Sequence, residues 1–230
     1  MRIEIKSLWF KAVFVTTTLV CVNTQVIALT IARSDILLHI VSQCVDPSKE
    51  NYCSNCMLPR REANCGGITE CKKTNEVWAL NTKYAAIRDI KMCGCPAEFI
   101  HGLALPREVI TGVEDLNREE SIWQFAWDNG IERIEAQLLA LVVNPKSQRS
   151  QNQLHVHILR LDPNARARFE QFTPVYVDNL ESVWLVAAKA AKSKGLNDYG
   201  VLVAKDLKGK FLVLVSPSSP EAAFTVWKCS

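Results

Sequence analysis

The chain has 230 residues, 48% of them hydrophobic and 22% charged, enough apolar material for one sizeable core and about one domain. Its formal net charge is +3, and the 27 basic residues are scattered, with no stretch that interleaves them with aromatic side chains; this excludes a nucleic-acid groove and predicts a solvated, mixed-charge surface. Nine cysteines are more than a reducing compartment usually leaves without a metal or redox role.

Arg2, Lys6 and Lys11 precede an apolar run from Ala12 to Ala32, long enough to cross a bilayer, which takes about 20 such residues. Asn23, Gln25 and several threonines weaken the run, and a cleaved signal peptide is the rival to an uncleaved anchor. Thr18-Leu19-Val20-Cys21 departs from a lipoprotein box at Val20, where a small residue is needed. The basic residues ahead of the run hold the N-terminus in the cytoplasm and send the rest across. Residues 1–33 therefore read as a signal-anchor and residues 34–230 as one exported domain.

Ser34 is placed to cap a short helix with apolar positions at Ile36, Leu37, Ile40 and Val41, and His39 lies within it. A loop without periodicity follows, holding Cys44, Cys53, Cys56, Cys65 and Cys71; Cys93 and Cys95 sit in a turn, and Cys229 comes late. Setting aside Cys21 leaves an even number, which in an oxidising compartment predicts disulfides of undetermined pairing. Cys53-x-x-Cys56 is also half of a zinc site, although no second such pair follows.

Tyr84–Asp89 and Phe99–Leu105 read as two strands, the second ended by Pro106. Asn117 with Glu120 forms a capping box ahead of a helix through Ile122, Trp123, Phe125, Ala126 and Trp127, and Gly130 is expected to bend or interrupt it. Leu138–Asn144 is an apolar strand, and the polar loop 145–152 leads into a strand that runs to about Leu161. Asp162–Phe172 is a basic helical or turn segment. Leu180–Lys194 is an alanine-rich helix closed by Gly195. Tyr199–Ala204 and Phe211–Val215 form a hairpin around Lys208-Gly209. Helices and strands mix without a βαβ rhythm, so the fold class is α+β.

The chemistry concentrates in Gln153-Leu154-His155-Val156-His157-Ile158, which holds two of the four histidines. On an extended strand Gln153, His155 and His157 share one face and Leu154, Val156 and Ile158 the other, with the two histidines about 7 Å apart at Cα. His101 lies on a neighbouring strand. Taking Ile100, Leu103 and Leu105 as core-facing requires an irregularity at Gly102 and leaves the direction of His101 open. Two chemistries fit: a neutral imidazole that attacks phosphorus, or a zinc ion held by His101, His155 and His157 with one position left for water.

The run 153–158 resembles the histidine-triad motif, alternating histidines followed by apolar residues. Asn144, Arg149-Ser150-Gln151-Asn152, Leu103-Ala104-Leu105-Pro106, Ile110-Thr111-Gly112-Val113-Glu114, Phe125-Ala126-Trp127 and Tyr199-Gly200 are similar to the CDP-diacylglycerol pyrophosphatase branch of that superfamily. The resemblance implies a histidine-triad-like antiparallel sheet with flanking helices, and a membrane-bound hydrolase that turns CDP-diacylglycerol into CMP and phosphatidate without a cofactor. It implies that His155 is the nucleophile, that His157 contacts the phosphate, and that Ser150 acts at the leaving group. Asn144, Arg149 and Gln151 then contact substrate, and His101 buttresses the motif. It also implies a bacterial inner-membrane location, with the domain on the periplasmic side. Gln153 stands where the family's first histidine is expected; glutamine exchanges hydrogen bonds but carries no proton. It is the one feature that favours a third reading, a binding module without turnover.

Overall fold

The computed structural model describes residues 34–45, 77–92 and 95–229. The apolar run, the cysteines from Cys53 to Cys71 and Cys93 lie outside the described residues. Among the described residues no helix is long and apolar enough to cross a membrane.

Eight strands form one antiparallel sheet: β1 (Val77–Leu80), β2 (Tyr84–Arg88), β3 (His101–Pro106), β4 (Leu139–Val143), β5 (Val156–Arg160), β6 (Val175–Val177), β7 (Gly200–Lys205) and β8 (Phe211–Ser216). Their order is β1-β2-β3-β5-β4-β7-β8-β6. Among the described residues, the sheet is flanked by α1 (Ile36–His39, continued by a π turn over Ile40–Cys44), α2 (Ser121–Ile131), α3 (Val183–Ser193), α4 (Pro220–Phe224) and the 3-10 helix Arg166–Phe172. The expected α+β class with an antiparallel sheet holds.

The central strands are buried on both faces, which explains their near-continuous apolar runs. On one face α2 and α3 pack over Ala104, Leu141, Val156, Ile158, Val203 and Val213. The other face carries two separate apolar blocks. Leu37, Ile40 and Val41 from α1 and its extension cover Ala85, Ile87, Leu103 and Leu105. Phe169 and Phe224 cover Val142, Leu202, Leu212 and Leu214. His157 falls between the blocks: on β5 its Cα partners are Leu103 of β3 and Val142 of β4. The polar site is thus a gap in an otherwise apolar layer, framed on both sides by packed strands.

Several local expectations are corrected by tertiary contacts. β3 needs no irregularity at Gly102, because both faces are covered: His101, Leu103 and Leu105 point one way, Gly102 and Ala104 the other, and Ile100 packs with the α2–α3 core. Gly102 instead admits the Trp78 indole, since a Cβ there would come within 1.9 Å of the ring. Gly130 does not interrupt α2, which runs on to Ile131; a Cβ there would lie 2.6 Å from a Leu139 methyl, so the glycine lets the helix approach the sheet.

Glu120 does not cap its own helix, which begins at Ser121 rather than beside Asn117. Its carboxylate accepts from the backbone amides of Trp184 at 2.8 Å and Leu185 at 3.0 Å, and so caps α3. The N-cap position of α1 is Asp35 rather than Ser34; the Ser34 carbonyl accepts from the Asn152 amide at 2.8 Å and ties α1 to the approach of the histidine strand. α3 and the β7–β8 hairpin form where expected. The short strands β1 and β6 and the helix α4 were not foreseen.

Candidate active site

β5 begins at Val156, so Gln153 is not on its polar face. The Gln153 side chain is buried and turned towards the loop after β3. Its Nε2 donates to the carbonyls of Pro106 at 2.9 Å and Glu108 at 2.6 Å, and its Oε1 accepts from the Ile110 amide at 3.4 Å. This glutamine is a clamp between two loops. It reaches His155 only through the backbone: Nδ1 of His155 sits 2.8 Å from the Gln153 carbonyl. A carbonyl only accepts, so Nδ1 carries the proton and Nε2 keeps its lone pair. His155 lines a cavity of about 440 Å³.

A second chain of hydrogen bonds fixes the neighbouring rings. Nδ1 of His101 lies 3.2 Å from the Trp227 carbonyl and therefore donates to it. Nε2 of neutral His101 then accepts from Nδ1 of His157, 3.0 Å away. This leaves Nε2 of His157 as an acceptor facing Nδ2 of Asn144 at 3.5 Å. The His155 and His157 rings meet edge to face, their centroids 4.7 Å apart.

Burial pushes the pKa of all three histidines below the ordinary value of 6.5. For His155 the bond to Gln153 opposes burial; for His101 the Asp89 carboxylate does. For His157, set well below 6.5, the fields of His155, His101 and Lys91 add to burial. Neutral rings agree with the hydrogen-bond chain.

Most site residues expected from sequence are at this cavity. Asn144, Arg149, Ser150, Gln151, His155 and His157 line it, and His101 backs His157, whereas the Gln153 side chain is turned to the loop after β3 and lines no part of it. Arg149 and Gln151 are also engaged within the chain. Arg149 makes a two-pronged ion pair with Glu114, at 3.0 and 2.6 Å. Gln151 Oε1 accepts from the Leu37 amide at 3.1 Å. The three-histidine ligand set does not assemble. The set of metal-ligating side chains found among the described residues is Asp89, His101 and His157, with donor atoms within 4.8 Å of one another; His155 is outside it, its Nδ1 spent on a carbonyl.

A family model described as CDP-diacylglycerol pyrophosphatase matches residues 32–187, more than half of the chain. The chain belongs to the CDP-diacylglycerol pyrophosphatase family. It is accordingly an enzyme that hydrolyses a pyrophosphate bond, and the family's substrate is CDP-diacylglycerol. No curated protein matches the sequence.

The CDP-diacylglycerol pyrophosphatase match ends inside α3, and part of the site lies beyond it. Ser219, Glu221 and Trp227 all face the cavity. Ser219 Oγ donates to Asn144 Oδ1 at 2.7 Å, and the buried Glu221 carboxylate accepts from Asn144 Nδ2 at 2.6 Å and Lys91 Nζ at 2.7 Å. A disulfide between Cys95 and Cys229 holds this segment down. Sequence reading missed Asp89, Lys91, Ser219, Glu221 and Trp227. Ser219-Pro220-Glu221 is a recognisable helix start, but nothing local says that the helix abuts Asn144.

Proposed function

We propose that this chain cleaves CDP-diacylglycerol to CMP and phosphatidate through a cytidylyl group carried on Nε2 of His155. The Nε2 lone pair forms a bond to the cytidylyl phosphorus as the anhydride P–O bond breaks, and that electron pair leaves with phosphatidate. Water then attacks the same phosphorus, the P–N bond breaks, and CMP departs while its surplus proton passes to solvent. Ser150 offers a hydroxyl donor to the phosphoryl oxygens, Arg149 and Gln151 shape the cavity wall, and Asn144 and His157, the latter held by His101, line it beside His155. The fold reading that goes with this mechanism is a histidine-triad-like sheet.

The observation that carries this reading is the 2.8 Å bond from His155 Nδ1 to the Gln153 carbonyl. It fixes the tautomer that leaves Nε2 nucleophilic, in a ring that burial keeps neutral. The Cys95–Cys229 disulfide supports an oxidising location. Together with the basic residues ahead of the Ala12–Ala32 run, it favours a domain on the periplasmic side of a bacterial inner membrane.

A metal-dependent reading has one observation in its favour, the Asp89, His101 and His157 set. One experiment separates the two. The full chain in detergent micelles is mixed with CDP-diacylglycerol labelled in the cytidylyl phosphate, with excess chelator, and quenched early. The expected result is an acid-labile, alkali-stable label on His155 and undiminished CMP release. Loss of turnover under chelation, restored by zinc, overturns the covalent reading.

A pH profile adds a second check. Protonated His155 has no lone pair to offer, and its pKa lies below 6.5. kcat/KM is therefore expected to stay level from neutral pH down past 6.5 and to fall only below it. An acid limb centred at or above 6.5 contradicts the buried, neutral nucleophile.

A further inference from the structure

A diphosphate brings about two negative charges next to a nucleophile that is itself neutral. The cavity therefore has to supply cationic donors. Of the basic side chains on its wall, Arg149 is committed to Glu114 through both terminal nitrogens. Lys91 is arranged differently. It sits in the 3-10 turn Ile90–Met92 that follows β2, and its side chain is 37% exposed. Its Nζ donates to Glu221 Oε1 at 2.7 Å and lies 5.0 Å from the centroid of the Trp227 ring. An ammonium has three donors, so the Glu221 contact does not use them all, and Lys91 lines the cavity.

Resting on the CDP-diacylglycerol reading above, we propose that Lys91 is a phosphate-binding residue of this site, its ammonium contacting the substrate diphosphate, and that Glu221 is its positioning residue. Glu221 holds two donors at once: Oε1 takes Lys91, and Oε2 takes Asn144 Nδ2 at 2.6 Å. One carboxylate thus aligns an ammonium and an amide on the same wall as His155. Glu221 is itself only 6% exposed, and its charge is matched by Lys91, so the pair presents donors to an anion rather than a bare negative charge. The arrangement also lies close to the histidines, since Glu221 Oε1 is 3.6 Å from His101 Nε2 and Oε2 is 3.6 Å from His157 Nε2. Lys91 and Trp227 are brought together by the Cys95–Cys229 link, which fixes the C-terminal segment beside the turn after β2.

The test measures binding of CDP by calorimetry to the full chain carrying His155→Ala, so that nothing is turned over. Adding Lys91→Met is expected to weaken CDP about tenfold or more, the loss of one charge-assisted hydrogen bond, with Lys91→Arg recovering most of it. Lys91→Met also strands Glu221, so a Lys91→Met/Glu221→Gln variant is measured alongside. Continued weak binding in that neutral pair supports the assignment. Recovery of wild-type affinity there, or CDP affinity that ignores Lys91 altogether, overturns it. The catalytic reading is judged separately, by CMP release from CDP-diacylglycerol in the chain with His155 and Lys91 intact. Failure of that release removes the hydrolase reading while the CDP affinities still decide the role of Lys91.

Discussion

Replacing His155 by alanine is expected to lower CMP release from CDP-diacylglycerol by at least about 10⁴-fold, the scale seen when a nucleophile that acts with its partners as a unit is removed. The fold should survive. The ring makes one hydrogen bond, to the Gln153 carbonyl, and it lines a cavity from which water can enter the space it leaves. The apolar blocks on either side do not include it. A His155→Gly variant opens a hole the shape of an imidazole, and added imidazole is expected to restore part of the turnover with no label left on the protein. A His155→Ala enzyme that works within about tenfold of the wild type is incompatible with the covalent route.

Gln153 offers the second large effect, on stability more than on rate. Its side chain satisfies two carbonyls and one amide in a buried position between the loop after β3 and the approach to β5. Truncation to alanine leaves these groups without partners, at about 1–3 kcal/mol each before relaxation. A net loss of about 3 kcal/mol is expected, which for a domain of this size lowers the melting temperature by roughly 6–12 °C. Gln153→His is the sharper variant. If the slot needed a titrating ring, histidine there would raise the rate. The geometry predicts the reverse: a neutral imidazole has one N–H and cannot serve both carbonyls. A lower melting temperature with no gain in kcat is therefore expected. A tenfold rise in kcat would show that a proton at this position takes part in the reaction.

These two residues also mark how far the sequence can be read unaided. Alternation at His155 and His157 is a local property, and it survives across the start of β5, because Val156 and Ile158 have a core to face. Gln153 obeys the same alternation on paper. It departs because the strand starts three residues later and because two unpaired carbonyls across the chain outbid the strand pattern. Glu120 shows the same limit: its spacing from Asn117 is that of a capping box, yet the orphan amides it satisfies belong to α3, 64 residues further on. Glu221, Lys91 and Asp89 were invisible for the same reason, since nothing near them in sequence distinguishes them from solvated charges. β1 and β6 escaped notice because three- and four-residue edge strands carry too few residues for a period to show.

The Cys95–Cys229 bond closes a loop of 134 residues around the histidine strand. A ribosome makes His155 and His157 well before Glu221 and Trp227. Until the late segment docks, His101 lacks the carbonyl that sets its tautomer, and Asn144 lacks the carboxylate and hydroxyl that orient it. A nascent or clipped chain would hold His155 and His157 without these partners. The surroundings of the histidines are therefore completed only when the segment around Ser219, Glu221 and Trp227 packs against the strands made before it.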